Sequence, residues 1–112
     1  MPMLVVSALM ACGCTSPVAC TAEARTSLVV HVIDESGKRV CGATVTARDG
    51  SFSAVLQDAG SPDCTHYGIS ERKGTYTIDV RLGTRHASVD GVKVTADECH
   101  VHTRTLRVVL PG

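Results

Sequence analysis

The chain has 112 residues, 44% of them apolar and 20% charged, and its eleven basic residues are balanced by eleven acidic ones. That length holds one domain, and without a basic excess nucleic acid is not an expected partner. Aromatic residues make up 3% of the chain, with no Trp and one Phe, so neither a base-stacking platform nor an aromatic cage is expected. Sixteen Val, twelve Thr and three Ile take their place, which is the composition of strands.

At the amino terminus, Met3 to Ala11 is an apolar run of nine residues. It is shorter than the roughly 20 residues a membrane-spanning helix needs and suits the apolar core of a secretory signal, although Met1-Pro2 carries no positive charge ahead of it. Leu9-Met10-Ala11-Cys12 resembles the bacterial lipobox, in which a small residue precedes a cysteine that becomes the acylated new terminus. The resemblance implies a signal remnant over residues 1–11, lipidation at Cys12 and a tether over 12–26. Several acyl chains anchor stably where one does not. Gly13, in place of an inner-membrane-retaining Asp, points to the outer membrane; with a plain secretory signal and an ordinary Cys12, the alternative is a secreted or periplasmic protein.

Six cysteines in so small a chain imply an oxidising compartment and a disulfide framework. With Cys12 given to the lipid, Cys14, Cys20, Cys41, Cys64 and Cys99 remain. Cys14, in the tether, is the natural spare thiol.

From Ser27 onward the apolar period is two. Leu28 to Ile33 is a strand apolar on both faces, ended by a turn over Asp34 to Lys38. Ala43 to Arg48 alternates as a half-buried strand and leads into Asp49-Gly50, a hairpin signal. Phe52 to Gln57 is a weaker strand, followed by a loop over Asp58 to Asp63. A short segment, Tyr67 to Glu71, precedes Thr75 to Leu82, whose alternation is the cleanest in the chain. His86 to Val94 slips parity at Gly91, as a β-bulge would produce. Val101 to Leu110 is the last strand. Seven short strands at this spacing indicate an all-β sandwich, with Tyr76, Ile78, Val80 and Leu82 facing Leu28, Val30, Val32, Ala43, Val45 and Leu106.

Val32-Ile33-Asp34 with Gly37, Gly42-Ala43-Thr44-Val45, and Gly74-Thr75-Tyr76-Thr77-Ile78 together are similar to carboxypeptidase regulatory-like domains. The resemblance covers about residues 27 to 110 and implies a seven-stranded transthyretin-like (prealbumin-like) sandwich over 27–112. It also implies a non-catalytic accessory module. Val40 to Val45 and Asp97 to Val101 look like a subgroup of bacterial lipoproteins. The expected role is structural or binding, toward an envelope protein or carbohydrate, with no cofactor.

Three sets of residues are weighed for chemistry. His31, in Val30-His31-Val32-Ile33-Asp34, resembles the first-strand histidine of the transthyretin-related hydrolase that opens 5-hydroxyisourate. That enzyme's Tyr-Arg-Gly-Ser tail has no counterpart in Val109-Leu110-Pro111-Gly112, and a lone histidine is a general base only with partners beside it. His100 and His102, two apart on a strand, would share a face and could begin a metal site, though a closed site needs about four ligands. The charge pairs Asp34-Glu35, Asp97-Glu98, Lys38-Arg39 and Arg72-Lys73 are expected to be solvated loop charges, and Gly42 and Gly74 turn residues.

Strand direction also orders the cysteines. If Phe52 to Gln57 is a strand, Cys41 and Cys64 lie at one end of the sandwich and Cys20 and Cys99 at the other, so bridges Cys41–Cys64 and Cys20–Cys99 are expected. If it is not, the parity flips and Cys41–Cys99 becomes the better pairing.

Overall fold

Alternation along each strand decides what is buried. β1 (Thr26–Ile33) turns Leu28, Val30 and Val32 inward, each at most 1% exposed, and leaves Val29, His31 and Ile33 on the outer face. The computed structural model describes residues 19–112, so residues 1–11, where a signal remnant is expected, and Cys12 and Cys14 lie outside the described residues. The other strands are β2 (Thr44–Asp49), β3 (Phe52–Val55), β4 (Gln57–Asp58), β5 (Thr65–Ser70), β6 (Gly74–Leu82), β7 (Arg85–Val94) and β8 (Arg104–Val109). They form two packed sheets, ordered β4-β5-β1-β8 and β3-β2-β6-β7. β1 runs antiparallel to β5 and parallel to β8, while the second sheet is antiparallel throughout.

The strand count is eight rather than seven because the chain changes sheets at Leu56. Residues 52–55 pair with β2 and residues 57–58 with β5. Between them Leu56 donates its N–H to the Val45 carbonyl at 2.8 Å, and its side chain is 4% exposed. The stretch Phe52 to Gln57 therefore serves both sheets, and Leu56 plugs the open side between them.

β6 supplies the centre of the core, with Tyr76, Ile78 and Val80 fully buried against Leu28, Val30, Val32 and Val45. Leu82 and Leu106 face inward but are partly buried; in the closing stretch of the chain Val108 and Leu110 are the covered residues. In β7, Val89 lies opposite Ile78 and Val92 opposite Tyr76, so three β7 steps match two of β6. Gly91, at φ +69°, accommodates the extra residue, and the parity change lets both Val89 and Val92 face the core.

Cys20 is bonded to Cys99 and Cys41 to Cys64, with Cα separations of 5.3 and 5.1 Å. The bridges close opposite ends of the sandwich. Near the first, Arg72 departs from the solvated role expected of it. Its guanidinium lies 3.9 Å over the Phe52 ring, pairs with Asp49 at 3.1 Å and donates to the Tyr76 hydroxyl at 3.0 Å. The Tyr76 hydroxyl in turn donates to the Arg72 carbonyl at 2.8 Å. The buried Ser27 hydroxyl takes the Arg72 N–H and returns a bond to the same carbonyl. Gly74 marks a close approach rather than a turn, since a Cβ there would displace the Asp49 carboxylate from its place beside Arg72.

One buried group lacks compensation. His66 faces the core from β5 at 1% exposure, and neither ring nitrogen has a hydrogen-bond partner among the described residues. Burial holds its pKa below the ordinary histidine value, so the native ring is neutral.

Two stability outcomes follow. Ile78→Ala should cost about 2–5 kcal/mol in urea denaturation; a cost near zero would contradict the burial of its side chain. His66 binds a proton in the unfolded chain at a pH where the native ring does not, so stability should fall as pH drops below about 6.5. His66→Leu should abolish that loss, and a pH profile unchanged in the variant would show that another group causes it.

Candidate functional site

Polar side chains converge at two places, one at the Cys20 end of the sandwich and one toward the other end on the outer face of the first sheet. At the Cys20 end the organising group is the Glu71 carboxylate. Glu71 follows β5 at φ +50°, a left-handed conformation that turns the chain sharply at the strand's end. Its Oε1 accepts the Val101 N–H at 2.9 Å, and its Oε2 accepts the Arg25 N–H at 3.1 Å and pairs with His100 Nδ1. Its own N–H goes to the Arg25 carbonyl at 2.9 Å. The His100 bond, then the Val101 N–H, hold the carboxyl below its ordinary pKa. His100 is 9% exposed, and its Nε2 meets the Thr21 hydroxyl at 2.8 Å. Thr21 and His100 each follow a half-cystine of the Cys20–Cys99 bridge, so a covalent bond and a polar chain fasten residues 20–25 to the body side by side.

His100 and His102 are not brought onto one face. Residues 97–100 close a turn in which Asp97 donates its N–H to the His100 carbonyl at 3.0 Å and accepts the N–H groups of Cys99 and His100. His100 belongs to that turn and His102 precedes β8, so the spacing rule for a strand does not apply to the pair. His102 instead lies exposed, with Nδ1 against the Thr95 hydroxyl at 3.0 Å and Nε2 against Asp97 at 3.2 Å. Asp97 is thus a turn-holding acceptor rather than a merely solvated charge, and these bonds, the backbone ones foremost, lower its pKa to about 2. Among the described residues no three His, Cys, Asp or Glu side chains are grouped as a metal ion would need.

A hydroxyl, an imidazole and a carboxylate in this order also occur in acyl-transfer sites. The surroundings oppose that chemistry. The cavity beside Thr21, about 440 Å³, is lined by Glu23, Glu71, Asp97 and Glu98, with Lys73 the cation among its lining residues. An oxyanion forming there would meet carboxylates where catalysis needs donors and positive charge. The arrangement is suited to clasping the chain.

The second place is a cleft of about 440 Å³ lined by His31, Ile33, Gly37, Arg39 and Arg107. Register builds it. Arg107 of β8 lies opposite His31 of β1, and Arg39 bridges Ile33 on the other flank where β5 has ended. Gly37, at φ +88°, closes the turn that returns the chain to Arg39. The His31 Nδ1 lies 3.4 Å from the Thr65 hydroxyl. The hydrolase comparison calls for a second histidine beside His31. His66, opposite Val30, points to the core, so the cleft pairs one imidazole with two guanidinium groups instead. Sequence reasoning took Arg39 for a solvated loop charge and did not single out Arg107, because their place beside His31 depends on the Gly37 turn and on the β1–β8 register.

If Glu71 fastens the clasp, Glu71→Ala should speed hydrogen exchange at the Arg25 and Val101 amides roughly ten-fold or more, while Glu71→Gln, which keeps the acceptors, should have a smaller effect. Unchanged exchange in Glu71→Ala would contradict the role. Because the folded Glu71 pKa is depressed, its contribution is complete above the unfolded value and is lost as pH falls through the folded one.

The chain matches no protein-family model, no curated protein and no solved structure. Its function is therefore argued from its sites.

Proposed function

We propose that this chain is an exported lipoprotein, anchored at the outer membrane through Cys12, whose carboxypeptidase regulatory-like sandwich is a non-catalytic binding module of the cell envelope. Two disulfides in so small a β domain belong to an oxidising, extracytoplasmic compartment. Among the described residues no helix is long and apolar enough to cross a membrane. The transthyretin-like assignment is supported by strand economy: with the two-residue β4 taken as the continuation of β3, seven strands remain in two sheets.

The observation that carries the reading is the opposition of the two sites. The clasp holds residues 20–25, which lead back toward Cys12, at one end of β1. His31 lies five residues beyond Thr26, about 17 Å along the strand, so the cleft is displaced away from the point of attachment. A module held at one end and open toward the other is arranged for presentation.

In a bacterial host the protein should incorporate labelled palmitate and partition into the detergent phase, and Cys12→Ser should release it to the soluble fraction. A wild-type chain that is unlabelled and soluble would overturn the anchoring.

A further inference from the structure

The outer faces of the two sheets treat charge differently. On the second sheet, Arg48 pairs with Asp79 at 2.6 Å, Asp79 also accepts from Ser88 at 2.9 Å, and Thr77 donates to Asp90 at 3.0 Å. On the first sheet, the outward positions of β1, β5 and β8 are Val29, His31 and Ile33, Thr65 and Tyr67, and Thr105, Arg107 and Val109. None is acidic. Neither Arg39 nor Arg107 forms an ion pair among the described residues, although carboxylates neutralise arginines elsewhere on this surface. Two guanidinium groups and an imidazole thus flank one cleft without a counter-ion from the fold.

We infer that this cleft binds an oxyanion, a phosphate or a carboxylate, carried on an envelope glycan; the inference rests on the binding-module reading above and names the ligand class of its cleft. Guanidinium groups recognise both oxyanions through paired N–H donors, and His31 adds a third polar contact between them. The size of the cleft is that of a small-ligand pocket and admits a sugar unit. The glycan is favoured over a protein partner by what borders the cleft. Tyr67, 37% exposed, stands opposite Val29, one outward position from His31, and places an exposed aromatic side chain, the type that stacks on sugars, on the same face as the cleft. Thr65, Thr105 and, opposite Tyr67, Gln57 supply hydroxyl and amide groups alongside.

The test follows the His31 imidazole signals of the full chain by NMR, assigned with His31→Gln, during titration with five probes. These are inorganic phosphate, glucose 6-phosphate, galacturonate, a hexamer of galacturonic acid and neutral maltohexaose. Saturable shifts are expected with the four anions and none with maltohexaose. The hexamer should bind at least ten-fold more tightly than monomeric galacturonate, and the two monomeric sugar anions rank phosphate against carboxylate as the group carried. Arg39→Gln and Arg107→Gln should each weaken binding ten-fold or more while leaving the folded spectrum intact. Equal binding of maltohexaose, no gain from hexamer over monomer, or shifts unaltered in the double variant would each overturn the inference. Membrane anchoring is read by a separate experiment, so a failed cleft leaves the lipoprotein reading standing, and a soluble wild-type chain leaves the cleft result standing.

Discussion

The constraint on which this structure depends is the small size of its core. The largest fully buried side chains are Tyr76, Leu28, Ile78 and Leu110, and most of the rest are valines. Each valine buries less apolar area than the aromatic residues that dominate larger sandwiches, and burial is worth roughly 25 cal/mol per Å². A domain of this length gains its margin narrowly. The two bridges at opposite ends act on the unfolded chain instead, closing sequence separations of 79 and 23 residues. In the chain-entropy picture these are worth roughly 4.5 and 3.5 kcal/mol.

Polar groups extend the same fastening inward from the ends. The Arg72 carbonyl and N–H are both satisfied by buried side chains, and the guanidinium covers the single phenylalanine. Glu71 performs the equivalent task one residue earlier, collecting Arg25, Val101 and His100. Consecutive residues thereby hold the amino-terminal segment and the end of β6 in place. With the clasp confined to that end, the cleft of His31, Arg39 and Arg107 is left open on a different part of the surface.

The period-two core was legible because alternation is local: Tyr76, Ile78 and Val80 can be assigned a face from their own strand, and Gly91 marks the residue where parity changes. Strand direction placed Cys41 with Cys64 and Cys20 with Cys99, which are the bridged pairs. The crossing at Leu56 was not legible, since the alternation of Phe52 to Gln57 is the same whichever sheet the strand joins. Long-range partners escaped for a similar reason. Nothing adjacent to Arg72 announces Asp49, 23 residues away, and nothing beside Glu71 announces His100, 29 away. Two histidines spaced for one strand face do not share one because His100 belongs to a turn built on Asp97, a residue that reads from the sequence as an ordinary loop acid.

The most direct measurement is urea unfolding of the protein with its bridges intact and after their reduction, followed by circular dichroism at 37 °C. A fold held by end staples around a small core should lose most of its stability on reduction, at least about 4 kcal/mol, and should no longer unfold cooperatively. A reduced protein that keeps the midpoint and slope of the oxidised one would show that the core suffices by itself, and would contradict the account.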